Sequence, residues 1–151
     1  MQSATQTAPV SKKMLWAGRI ISALPVLLLL FSGAMKLVKP APVVQAFAHL
    51  GYPESLALRI GILELACTVV YVIPRTSVLG AILMTAYLGG ATATHVRVGE
   101  PFYFPVIFGV LVWAGLYLRD DRLRALVPRE VSLRVGVVWW AVLHGEFRSP
   151  E

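Results

Sequence analysis

Cysteine is almost absent from this chain. Cys67 is the one cysteine among 151 residues, so the chain can form no internal disulfide, no Cys-x-x-Cys redox pair and no cysteine-cluster metal site. Charge is scarce too. Asp, Glu, Lys and Arg make up 15% of the residues, against about 25% in an ordinary soluble domain. Acidic residues are the rarer sign, 8 against 14 basic ones, which leaves a formal charge of +6. A basic excess can mark a nucleic-acid binder. Here the basic residues flank apolar segments, as they do at a membrane surface, and nucleic acid is excluded as a partner. There is no internal repeat and no low-complexity tract. Two domains have no support at this length.

What fills the chain is apolar: 57% of residues are hydrophobic and the mean hydropathy is +0.70. The apolar residues fall into four long blocks, each near the ~20 residues that cross a bilayer core. They predict spans at 15–38, 55–73, 77–95 and 102–118. The expected fold is all-α, an integral membrane four-helix bundle with a short interfacial C-terminal segment. Residues 1–13 read as a disordered N-terminus, 14–128 as the membrane domain and 129–151 as a tail. Lys12 and Lys13 before an apolar run imitate a signal peptide, but the run is too long and lacks a small-x-small cleavage site, so it reads as a retained first helix. Pro25 lies inside that span and is expected to kink or loosen it. Residues 43–51 form a piece too short to cross, at the interface or over the bundle mouth. Residues 131–143 are apolar, short, interrupted by Arg134 and carry Trp139 and Trp140, which suits a headgroup-level segment, with a fifth span as the alternative.

Orientation follows from the Lys and Arg residues. One side carries Lys12, Lys13, Arg19, Arg75, Arg119, Arg122, Arg124, Arg129, Arg134 and Arg148; the other carries Lys36, Lys39, Arg59 and Arg97. The positive-inside rule places the first group, with both chain ends, in the cytoplasm.

Ionisable residues within spans are costly and point to function or to helix–helix contact. Glu64 lies mid-span, with Ile60, Gly61, Cys67 and Thr68 one turn away on a small, partly polar face, and is expected to look into the bundle. Lys36 shares a face with Ser32 and Gly33; His95 shares one with Ala91 and Thr92. Helical side chains lean toward their own N-terminus. Spans one and three run outward and span two inward, so Lys36, Glu64 and His95 can converge in the outer half. Arg59 stands about 140° around the helix from Glu64 and snorkels. A second, weaker role for Arg59 is to close the pocket mouth with Arg97 and Tyr103; Arg97 by itself reads as a solvated loop charge. A Lys–Glu–His cluster can equally serve as a structural tie between helices. No metal site is expected: one Glu and one well-placed His are too few ligands, and His49 could add one only if its loop folds inward.

At these residues the sequence resembles the DoxX-like family of small bacterial four-helix membrane proteins. The matching segments are FSGAMKL (31–37), RIGILELA (59–66), TAYLGGATATHVR (85–97) and the RDDRLRALVP run (119–128) after span four. The resemblance implies that Lys36, Glu64 and His95 occupy the family's polar positions. It also implies a redox theme, since some relatives look like the membrane subunit of a thiosulfate:quinone oxidoreductase. This chain shows no cofactor motif, so a quinone is the cofactor the resemblance brings, with any electron-carrying centre on a partner subunit. The resulting expectation is a bacterial inner-membrane, redox-associated accessory subunit. It would have an outer-facing pocket for a quinone-like or apolar molecule, with Glu64 as proton carrier, Lys36 as counter-charge and His95 as a second proton site. A non-catalytic scaffold and a small-molecule transporter working as a homo-oligomer are the alternatives. Whether the chain is an enzyme stays open at this point.

Overall fold

The computed structural model describes residues 11–126, and every element among them is helical. The segment 131–143 lies outside the described residues. The helices are α1 (Lys12–Val38), α2 (Ala41–His49), α3 (Ser55–Val72), α4 (Ser77–Arg97), α5 (Tyr103–Arg119) and α6 (Asp121–Leu126). Three of them, α1, α3 and α4, are long and apolar enough to cross a membrane; α5, at 17 residues, is apolar but shorter. At about 1.5 Å per residue it extends ~25 Å, a little under the ~30 Å hydrocarbon core.

The boundaries follow from local chemistry. Ser11 caps α1 by accepting from the Met14 amide. Lys39, in the left-handed conformation at φ 53, closes α1, and Pro40 cannot continue it. The helix runs unbroken through Pro25, which is buried. Pro42 sits in the first turn of α2, where no amide partner is lost.

The ends of α2 and α4 share one device. Gly51 and Gly99 both adopt φ +73, the left-handed position that ends a helix in a Schellman motif. In α2, Gly51 N donates to Ala48 O and Tyr52 N to Phe47 O; in α4, Gly99 N donates to Val96 O and Glu100 N to His95 O. Each motif turns the next side chain back over its own helix, bringing Tyr52 toward Phe47 and Glu100 toward His95.

α1 packs on α3 and α5, and α4 packs on the same two helices, closing a ring of alternating direction. The side chains are distributed inside-out compared with a soluble helix. In α1 the buried positions are Gly18, Ser22, Pro25, Leu29 and Gly33, while Trp16, Ile20, Leu27 and Phe31 are each more than 60% exposed. Small or polar residues inside and large apolar ones outside is the pattern of helices packed within lipid. The chain is a membrane protein on this pattern and on its three membrane-length helices.

Two contacts fix the ring. Tyr71, fully buried on α3, donates to Val112 O of α5 at 2.9 Å and shares a 2.9 Å hydrogen bond with Ser22 of α1. Toward the opposite end, α1 and α3 touch backbone to backbone: a Cβ on Gly61 would stand 3.0 Å from Gly33 O and 2.8 Å from the Lys36 Cβ. That crossing sets Lys36 and Glu64 face to face.

Candidate functional site

Glu64 is 2% exposed on α3. Its Oε2 accepts from the Lys36 Nζ of α1 at 2.7 Å. Lys36 also donates to Ser32 Oγ at 2.5 Å, and Ser32 lies 3.5 Å from the same carboxylate oxygen. The ammonium therefore spends two of its three N–H donors inside the cluster. A charge taken out of water must be paired and hydrogen-bonded to be tolerated; Lys36 and Ser32 do that for Glu64.

Lys36 also lines a cavity of about 380 Å³ among α1, α2, α3 and α4. Phe47, Leu50, Ile60 and Leu63 give it apolar walls; Tyr52, Tyr87, Thr94 and His95 give it polar groups. A larger groove of about 610 Å³ lies between α4 and α5, but no charged residue lines it. Its tryptophan and threonine side chains are already engaged: Trp113 Nε1 donates to Thr85 Oγ1 at 2.8 Å, and the Thr85 and Thr92 hydroxyls donate to the Ala81 and Leu88 carbonyls of their own helix. A mostly apolar concavity with a few convergent polar groups is what small-molecule sites look like, which singles out the smaller cavity.

His95 lines the same cavity as Lys36, but its bonded partner is Glu100 rather than Glu64. Its Nδ1 lies 2.8 Å from Glu100 Oε2, while the other carboxylate oxygen, Oε1, lies 2.9 Å from His49 Nε2. Two imidazoles thus hold one carboxylate at the cavity rim. The described residues contain no group of three or more His, Cys, Asp or Glu placed to hold a metal ion.

Arg97 is exposed and stacks on Tyr52, its guanidinium carbon 5.4 Å from the ring centroid. It also donates to the Leu50 carbonyl. Tyr52 in turn bonds Thr94 Oγ1 at 2.9 Å. Arg97 therefore pins the end of α2 over the cavity, with Tyr52 as its aromatic partner. Tyr103 is 53% exposed and rests on Phe104, 4.8 Å between centroids, outside the cavity lining. Arg59 is exposed and makes no ion pair among the described residues. Cys67 is buried in the apolar core beside Tyr71 and Leu29.

Sequence reasoning overlooked Ser32 as a ligand of Lys36, although its position four residues earlier was visible. It also overlooked Glu100, Tyr52 and Tyr87. For Glu100 and Tyr52 a signal existed: each follows a glycine that ends a helix, and the Schellman geometry returns such a residue over the last turn.

The segments carrying this site lie within a continuous stretch, residues 20–115, that matches the profile of the DoxX-like family. The chain belongs to the DoxX-like family. The match runs from the first turns of α1 to the last turns of α5 and so takes in Lys36, Glu64, His95 and Glu100. No curated protein and no solved structure matches the chain.

Proposed function

We propose that this DoxX-like protein is a multi-pass protein of the bacterial inner membrane. Its four long helices all cross, with both chain ends in the cytoplasm. It holds a quinone-like or apolar small molecule in the cavity beside Lys36, as a redox-associated accessory subunit whose electron-carrying centre lies on a partner. The observation that carries this reading is the Lys36–Glu64 pair at 2.7 Å, set beside a mostly apolar cavity of about 380 Å³. The aromatic and aliphatic walls suit a ring and its substituents. Lys36 keeps an N–H to offer an oxygen, and Tyr52, Tyr87 and His95 add hydrogen-bonding groups. A quinone would supply redox capacity there; the residues of this chain bind and orient it and exclude water. The basic end with Lys12, Lys13, Arg75, Arg119, Arg122 and Arg124 supports the orientation.

The same pair favours a second reading. Lys36, Ser32 and Glu64 tie α1 to α3, and a tie of this kind is enough for a scaffold without chemistry. Mass spectrometry of protein released gently from its native membrane, beside a Glu64→Gln variant, separates the two. A quinone held by the native protein and lost from a folded variant supports the pocket. Equal stability and no ligand in either form leaves the scaffold, and a co-purifying subunit in both forms identifies what it supports.

A further inference from the structure

We infer that Glu100 is a positioning residue for His95, and that it sets the cavity to receive a ligand whose head carries a hydroxyl, such as a hydroquinone, rather than carbonyls alone. The ligand half of this inference rests on the pocket reading above; the positioning half does not.

The geometry begins with the Schellman motif that ends α4. Gly99 at φ +73 reverses the chain, and Glu100 N bonds back to His95 O at 3.0 Å. The Glu100 side chain is thereby held over the last turn of α4, where its Oε2 meets His95 Nδ1 at 2.8 Å. The carboxylate is fixed from its other side by His49 Nε2 at 2.9 Å, and His49 closes α2. Glu100 is thus gripped by its own backbone, by α4 and by α2.

A carboxylate only accepts hydrogen bonds, so a neutral His95 must present Nδ1–H to it. That choice fixes the tautomer and leaves Nε2 as a bare acceptor, in the way a carboxylate behind an imidazole sets ring orientation elsewhere. Nε2 makes no hydrogen bond among the described residues. Glu100 is not among the residues lining the cavity, whereas His95 is, so the nitrogen turned away from Glu100 is the one available to an occupant. An unpartnered acceptor beside an apolar space selects for a donor, because an occupant without one leaves it desolvated and unbonded. A hydroxyl that reaches Nε2 can donate to it, and its oxygen can still accept from a lysine N–H; a carbonyl can only accept. The titratable and charged groups around the imidazole are Glu100, His49 on α2, Arg97 on its own helix and Lys36 on α1, the last paired with Glu64.

The test is nitrogen-15 NMR of histidine-labelled protein in lipid nanodiscs, with the His95 signal assigned from a His95→Gln variant. The native protein should show Nδ1 protonated and Nε2 bare. Glu100→Ala should move the ring toward the Nε2–H form, and Glu100→Gln, which keeps an acceptor oxygen, should retain the native tautomer in a folded protein. Under anaerobic conditions, a short-chain benzohydroquinone should shift Nε2 and bind roughly tenfold tighter than the matching benzoquinone, as one added hydrogen bond implies. That preference should vanish in Glu100→Ala. A native ring protonated at Nε2, alone or at both nitrogens, overturns the inference. The native tautomer with equal affinity for both rings overturns the ligand half. The native tautomer with neither ring bound overturns the pocket reading and the ligand half with it, while the positioning role is upheld.

Discussion

The Lys36 ammonium lies 2.7 Å from Glu64 Oε2, and the two differ in how far each could escape if the other were lost. The Lys36 side chain is 16% exposed, within the last turn of α1, whereas Glu64 is 2% exposed near the middle of α3. A lysine near a helix end can swing its ammonium to the interface; a mid-helix glutamate cannot. Lys36→Met should therefore cost more than Glu64→Leu, by about 3 kcal/mol against about 1, since a buried charge stripped of its partner bears the full desolvation penalty. The double variant should recover part of the loss. Unfolding of the four proteins in one lipid or detergent system measures this as a double-mutant cycle. Equal costs for the two single variants would show that Lys36 has no such exit.

This pair also shows what was legible in the sequence. Helix direction and the N-terminal lean of side chains were enough to bring Lys36 and Glu64 to the same level, because both are set by the backbone. His95 was placed at the same level, and the structure does put it on the cavity it shares with Lys36. Its partner was not legible in that way: Glu100 lies beyond the last helical residue of α4, and only the turn made by Gly99 returns it to His95. Arg97 illustrates the same limit. It reaches Tyr52, which follows Gly51 in an equivalent turn, and not Tyr103, which opens α5. Helical periodicity reads contacts between regular segments; it says little about residues whose positions depend on a single left-handed glycine.

The glycines should divide sharply under substitution. A Cβ on Gly80 would stand 2.3 Å from both the N and Cα of Tyr71, so α3 and α4 could not keep their spacing. Gly89 and Gly90, on the same helix, have nothing within 4 Å of a Cβ. Gly80→Ala should lower stability by several kcal/mol, in the range of strained overpacking, with Gly89→Ala and Gly90→Ala near neutral or slightly stabilising through helix propensity. Thermal melting followed by tryptophan fluorescence would report it. A mild Gly80→Ala would mean that the two helices separate without penalty.

Removing one hydroxyl should measure the tie at the other end of the ring. Tyr71→Phe deletes the donor to Val112 O and the bond with Ser22 while leaving the ring under the Arg119 guanidinium, 4.8 Å away. Hydrogen bonds between membrane helices are worth about 0.6 kcal/mol on average and up to about 1.7. Since two bonds leave together, about 1 kcal/mol is expected. Ser22→Ala, which leaves the Val112 bond in place, should cost less. A larger loss from Ser22→Ala would instead point to its packing against Gly115, whose Cβ would lie 2.3 Å from Ser22 Oγ.

The seat of α2 should be separable from the rest of the fold. Among its residues only Phe47 is buried, and its C-terminal end is held by polar contacts: Arg97 to the Leu50 carbonyl, Arg97 over Tyr52, Tyr52 to Thr94, and His49 to Glu100. Regions with few buried apolar contacts open at low free energy. Arg97→Gln combined with Tyr52→Phe should raise amide exchange across α2 at least tenfold, an opening made easier by about 1.4 kcal/mol. The amides of α3 and α4 should keep their protection. Hydrogen–deuterium exchange with mass spectrometry resolves the two groups of peptides. Parallel loss of protection in α3 would show instead that α2 braces the ring.

Orientation is best tested on the two ends of one helix. Ser55 and Arg75 are both exposed, the first opening α3 and the second just past its end. Lys12, Lys13, Arg19, Arg119, Arg122 and Arg124 share the Arg75 end; Lys36, Lys39, Arg59 and Arg97 share the Ser55 end. With Cys67 replaced by serine, single cysteines at the two positions would be challenged in spheroplasts with a membrane-impermeant maleimide. The basic excess predicts that Ser55→Cys labels in intact spheroplasts and Arg75→Cys only after lysis. The cavity, Glu100 and α2 then face the outer side, and any ligand enters from that leaflet or that compartment. The inverse pattern would put the same cavity on the cytoplasmic side without altering one contact in it, because Lys36, Glu64 and His95 are placed by the helices and not by the membrane. Labelling at both positions before lysis would mean that α3 does not span, and the four-crossing arrangement would fall with it.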